Sequence, residues 1–183
     1  MIVDTTFLTV TILSDLLVNG MDMSALMMIV AGAQIGAVSK SAMPPPIAAA
    51  VIAYGHGEPT CALEMLEKTA KYVKEKYKLP IRVNTNGLGN LYHGRDIVPE
   101  LAEYIDSVSI SLNAANAEEY NKVTRPSFDN AYEAMLDFAE ECNRMIKHTQ
   151  LSIVDVLPEE DIKTCQQIAD ERGIHLKIRH FSN

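Results

Sequence analysis

Beyond residue 50 the apolar positions switch between a period of about two residues and one of about 3.6, and each switch predicts a change of element. Ala50–Tyr54 is a short apolar run ending at a glycine and reads as a strand. Leu63, Leu66, Ala70, Val73 and Tyr77 keep helical spacing, and lysines gather at the C-terminal end of that segment, where the helix dipole favours them. Pro80 stops this helix and Ile81–Thr85 reads as the next strand. Residues 86–95, rich in glycine and asparagine, read as a loop. Asp96 can cap a helix running to about Tyr104, and Ser107–Leu112 follows as a strand. Asn116, with Glu119 three residues later, makes a capping-box-like start for a short helix that ends before Arg125-Pro126. The longest helix is expected from Asp129 to about Lys147, with Ala131, Met135, Phe138 and Cys142 on one face. Leu151–Val156 is a strand. Pro158 opens a helix with Glu159, Glu160 and Asp161 in its first turn, Gly173 ends it, and His175–His180 is the last strand.

Such strand–helix alternation predicts an α/β fold: a parallel sheet with right-handed helical crossovers, either an open doubly wound sheet or a full or partial (β/α) barrel. Buried parallel strands usually read as unbroken apolar runs. Here they alternate: Ser107, Ser109 and Ser111 against Val108, Ile110 and Leu112; Arg82 and Asn84 against Ile81 and Val83; Lys177 and Arg179 against Leu176 and Ile178. A partial barrel with helices outside and a polar lumen fits this pattern. A solvent-facing antiparallel sheet would alternate in the same way but would not need the long crossovers.

The first fifty residues have a different character. They carry four charged side chains (Asp4, Asp15, Asp22 and Lys40), and the other 133 residues carry the remaining 36. Met23–Val38 is uncharged, but it is shorter than the roughly 20 residues of a membrane span and is broken by Gly32, Gln34 and Gly36. No basic start precedes it, as a secretory signal would require. Thr6–Leu17 has some strand character. We therefore divide the chain into an atypical apolar N-terminal segment, residues 1–50, and a β/α domain, residues 51–183.

The net charge of −8 argues against a nucleic-acid surface and against an anionic membrane as partner. Cys61, Cys142 and Cys165 are odd in number and far apart, which points to a reducing, cytoplasmic setting and not to a disulfide framework. They show no metal-knuckle spacing, so none is expected to hold a metal.

Ligands of parallel β/α folds bind at the carboxyl ends of the strands. Gly55-His56-Gly57-Glu58-Pro59-Thr60 follows the first strand, and Asn84-Thr85-Asn86-Gly87 ends the second. Ser109, Ser111 and Asn113 lie on the third, and Asp155 on the fourth. Gly55 and Gly57 allow close backbone approach, Glu58 can accept from an ammonium, and the amides and hydroxyls can bond a ribose or a carboxylate. Taken singly, a Gly-x-Gly or Asn-Gly pair is also an ordinary turn, and a strand-end Asp can simply cap a helix. Together, the groups suit a zwitterionic, hydroxylated small molecule.

Several of these segments resemble those of the radical S-adenosylmethionine (radical SAM) superfamily. Gly57-Glu58-Pro59 resembles the family's "GGEP" motif, which contacts the amino group of the methionine moiety, and Thr85-Asn86-Gly87 resembles its "TNG". Ser109–Asn113, then Ala117–Tyr120 and Arg125-Pro126, resembles its fourth-strand segment. Val83–Leu91, His93–Asp96 and Val156–Asp161 resemble the TatD-associated subgroup, named for a neighbouring metal-dependent hydrolase gene. The resemblance covers roughly residues 50–180. It implies a partial (β/α) barrel and S-adenosylmethionine as cofactor, held by Gly55, Gly57, Glu58, Pro59, Asn84, Thr85, Asn86, Ser109, Ser111, Asn113, Arg125 and Asp155. It also implies a [4Fe-4S] cluster for radical chemistry on an unknown substrate, and a functional link to a TatD-type hydrolase.

The family's Cys-x₃-Cys-x₂-Cys motif is not found, since no cysteine precedes Cys61. We expect residues 1–50 to be a divergent, truncated or frame-shifted replacement for the first β/α unit, and cluster chemistry to be impaired. No catalytic residue is assigned. A non-catalytic α/β binding module is the alternative. A metal-dependent barrel hydrolase using Asp155, His56, His93 or His180 would be expected to show an H-x-H or H-E-x-x-H motif, and none is present.

Overall fold

A computed structural model describes residues 29–30, 51–53, 58–78 and 80–180. The expected features on Thr6–Leu17, Met23–Val38, Tyr54, Gly55, His56 and Gly57 therefore lie outside the described residues, apart from the two-residue strand at 29–30.

The sheet has six strands in sequence order: β1 Ile29–Val30, β2 Val51–Ala53, β3 Ile81–Thr85, β4 Ser107–Ser111, β5 His148–Val154 and β6 His175–Arg179. β1 pairs antiparallel with β2, and every pairing from β2 through β6 is parallel. A sequential parallel order has no switch point. Right-handed crossovers then place every connecting helix on the same side, as in a barrel. This excludes the doubly wound sheet and the antiparallel alternative for β2–β6, and the architecture is that of a partial β/α barrel.

The connecting helices are α1 Leu63–Tyr77, α2 Gly89–His93, α3 Val98–Tyr104, α4 Ala117–Thr124, α5 Ala131–Met145 and α6 Glu159–Glu171. A 3-10 turn, Pro59–Ala62, precedes α1. α5 carries the broadest apolar face, with Ala131, Met135, Phe138, Ala139 and Cys142 buried against β4 and β5. The strand residues facing this layer are the apolar half of each alternation: Ile81 and Val83, Val108 and Ile110, Leu151 and Ile153, and Leu176. The polar half faces the lumen. There Asn84 aligns with Ser109, Ser109 with Gln150, and Ser152 with Lys177.

Local chemistry fixes the helix ends. Asn116 Oδ1 accepts the Glu119 N–H at 3.0 Å, the expected cap, while the Glu119 carboxylate turns to Lys122. Asp96 Oδ1 accepts the Val98 N–H at 3.0 Å and so serves the first turn of α3 from two residues upstream. Two elements differ from the sequence reading. α2 lies inside the segment read as loop, and β5 begins at His148, three residues earlier than the apolar run suggests. Ladder bonding to Ser107–Ser109 extends β5 through residues whose side chains give no strand signal.

Candidate functional site

The carboxyl end of β3 is shaped by a turn network centred on Glu58. Glu58 Oε1 accepts from the Thr60 N–H at 3.1 Å, the Thr60 hydroxyl at 2.7 Å and the Thr85 hydroxyl at 2.5 Å. Its Oε2 accepts the Asn86 N–H at 2.7 Å. Thr85 Oγ1 in turn accepts the Gly87 N–H at 3.0 Å, and Asn86 Oδ1 accepts the Leu88 N–H at 2.9 Å. Each is a short-range side-chain turn. The chain needs both because Gly87 takes a φ of +79° and packs under α5: a Cβ there would lie 2.9 Å from Met135 Cγ and 3.0 Å from Ile110 Cγ2. Beyond it, His93 Nε2 bonds the Thr60 carbonyl at 2.8 Å, which draws α2 against the 3-10 turn.

β4 ends in a second special conformation. Asn113 has a φ of +61°, and the Ala114 N–H reaches back to the Leu112 carbonyl at 2.8 Å. This tight reversal ends the strand at the mouth of a cleft. Asn86, Ser111 and Asn113 line this cleft of about 360 Å³ together with Leu88, Tyr120, Val123, Thr124 and Pro126. The amides and hydroxyls come from the strand ends, and α4 supplies a mostly apolar wall.

The other predicted site residues fall into three groups. Pro59 is buried at the start of the 3-10 turn, and Thr85 is buried with its hydroxyl engaged inside the turn network. Asn84 and Ser109 sit deeper on the lumen face, where Asn84 accepts from Arg82 Nε at 3.2 Å and Ser109 from Gln150 Nε2 at 2.9 Å. Arg125 and Asp155 lie outside the cleft. Arg125 ends α4 with a φ of +48° and an exposed side chain. Asp155 Oδ2 meets His180 Nδ1 at 2.7 Å beyond the end of β5. The sequence reading did not assign Tyr120, Val123 and Thr124 to the site, although their i, i+3, i+4 spacing on a short helix marks a shared face.

The cysteines stand apart from this cleft. Cys61 is half-buried within the 3-10 turn, with its thiol pushed up by burial and by the Glu58 charge. Burial holds the Cys142 thiol far above its ordinary value. Burial and then Asp161 push the Cys165 thiol up to about 11. Among the described residues no three His, Cys, Asp or Glu side chains come together to hold a metal. Nor is any helix among them long and apolar enough to cross a membrane.

A family model described as the Radical SAM superfamily matches residues 44–171. No curated protein matches the chain.

Proposed function

The chain belongs to the radical SAM superfamily, and on that premise we propose that its β/α domain binds S-adenosylmethionine at the carboxyl ends of β3 and β4. The convergence of Asn86, Ser111 and Asn113 on one strand-end cleft carries this reading. Their amide and hydroxyl groups match a ribose and an amino-acid zwitterion. The cleft is of ligand size, and Tyr120, Val123 and Pro126 give it an apolar side for a base or an alkyl chain. Glu58 Oε2 accepts one hydrogen bond among the described residues, which leaves a lone pair for an ammonium. Arg125, next to cleft residues Thr124 and Pro126, can neutralise a carboxylate from the rim.

The described cysteines do not fit a [4Fe-4S] cluster, which in this family supplies the electron that cleaves S-adenosylmethionine. Such a cluster needs several thiolates on one centre. Cys61 stands alone before α1, Cys142 is on α5 and Cys165 is on α6, and burial raises all three thiols, which disfavours the thiolate. The function we assign is therefore S-adenosylmethionine binding with radical chemistry impaired, in a reducing cytoplasm. The finer placement in the TatD-associated subgroup, and with it a link to a TatD-type hydrolase, rests on the runs Val83–Leu91, His93–Asp96 and Val156–Asp161.

Calorimetry with S-adenosylmethionine, followed by anaerobic iron–sulfide reconstitution and an absorbance spectrum, tests both halves. Binding is expected, weakened by Asn86→Ala and Ser111→Ala, and no cluster absorbance is expected. Absence of binding would leave only the fold. A cluster signal that disappears on substitution of the three cysteines would overturn the impairment.

A further inference from the structure

The charges in the sheet are segregated by sign and by face. The chain has 24 acidic against 16 basic side chains, yet β3, β4, β5 and β6 contain no Asp or Glu. They contain three cations, Arg82, Lys177 and Arg179, and two histidines, His148 and His175. All five occupy the lumen face. Arg82 alternates with buried Ile81 and Val83, and His148 is in register with Ser107. His175 aligns with Gln150, Lys177 with Ser152 and Arg179 with Val154. The helical side of the same sheet carries no charged side chain, so the lumen is the one face of these strands that carries charge, and that charge is positive.

Lys177 and Arg179 stand closest to the carboxyl end, two residues apart on one strand and so about 7 Å apart. Neither has a carboxylate within ion-pair distance among the described residues, whereas Lys68, Lys122 and Lys163 on the helices each do. Asp155, just beyond the end of the neighbouring strand β5, meets His180 Nδ1 at 2.7 Å. Two cations side by side, without an ion-pair partner among the described residues, match a dianion: a single carboxylate would leave one of them unneutralised, while a phosphate monoester carries close to two charges at neutral pH.

Building on the assignment of the strand-end cleft to S-adenosylmethionine, we propose that the lumen beside it receives a phosphate-bearing small molecule as substrate, its phosphate held by Lys177 and Arg179. The amides and hydroxyls of the neighbouring rows, Gln150 with Ser109 and Ser111 with Ser152, would face the rest of that molecule. An edge strand also uses cations to prevent pairing with other chains, and this competing role makes a different prediction.

The test is a calorimetric titration of the full chain with inorganic phosphate, repeated with acetate, for the wild type and the double variant Lys177→Gln/Arg179→Gln. Loss of two charge-assisted contacts is expected to weaken phosphate binding by at least about tenfold, with acetate a poor competitor and the melting temperature unchanged. Unchanged phosphate affinity with new self-association of the variant would assign the pair to edge protection and overturn the proposal. Acetate binding as tightly as phosphate would overturn the choice of a dianion. S-adenosylmethionine titrated into the same samples separates the two readings. Its failure to bind while phosphate binds removes the cleft assignment but not the cation pair, and the reverse outcome removes only the pair.

Discussion

Glu58 Oε2 accepts the backbone N–H of Asn86 at 2.7 Å, across 28 positions of the chain. Together with the bonds from Thr60 and Thr85 to Oε1, this makes a single carboxylate the clasp between the 3-10 turn and the end of β3. Glu58→Gln keeps the shape but replaces one acceptor oxygen with a donor, and Glu58→Ala leaves the Thr85 and Asn86 donors unpaired. We expect destabilisation of about 1–3 kcal/mol, larger for Ala, and a melting temperature lower by several degrees in thermal unfolding. The same variants should bind S-adenosylmethionine more weakly, because Asn86 loses its anchor. An unchanged melting temperature in Glu58→Ala would show that the clasp contributes nothing.

Gly87 and Gly94 separate two costs that a glycine substitution can carry. Both have positive φ, +79° and +63°, but a Cβ at Gly94 meets nothing within 4 Å while one at Gly87 strikes Met135 and Ile110. Gly94→Ala should cost about 1–2 kcal/mol, the conformational penalty alone. Gly87→Ala should cost clearly more, since the side chains it meets belong to the packed layer between β4 and α5. Urea unfolding of the two variants gives the comparison, and equal midpoints would mean that the layer yields.

Much of this was legible in the sequence, and the reasons differ by element. The period-two alternation of Ser107–Leu112 gave both the strand and its faces, because each residue's burial depends on its own neighbours in the pleat. The cap at Asn116 was legible because its partner is three residues away. α2 was not, since glycine and asparagine dominate its start and it is held by distant contacts: Asn90 Oδ1 accepts the Ile97 N–H, and His93 reaches Thr60. The cleft was half legible. Strand-end residues can be read from topology, but the wall contributed by α4 was missed, because only the helical spacing of Tyr120, Val123 and Thr124 marks it.

Alkaline pH should destabilise the fold through its buried thiols. Burial raises the Cys165 thiol from an ordinary 9.0 to about 11. The folded state thus keeps its proton after the unfolded chain has lost it, and stability falls as pH rises. The contribution is whole below about pH 9 and is lost as pH climbs toward about 11, on the order of 2 kcal/mol for this group. Cys142 shifts in the same direction, and Tyr132, pushed up to about 12 by burial, adds to the loss above pH 10. Cys165→Ala should be less stable at neutral pH because it opens a cavity, yet its melting temperature should fall less steeply between pH 9 and 11. A slope identical to that of the wild type would contradict the linkage.

Asn113 allows binding to be separated from folding. Its φ of +61° suits glycine at least as well as asparagine, and the Ala114 N–H to Leu112 carbonyl bond uses only backbone. Asn113→Gly should therefore leave stability within about 1 kcal/mol of the wild type while removing the amide from the cleft. Losing one or two hydrogen bonds to a bound ligand is expected to weaken S-adenosylmethionine binding by about three- to tenfold. Asn113→Val is the opposite control: a β-branched residue is strained in the left-handed region, so stability and binding should fall together. If Asn113→Gly binds as tightly as the wild type, the amide does not touch the ligand, and the positive φ at the end of β4 serves only to turn the chain toward α4.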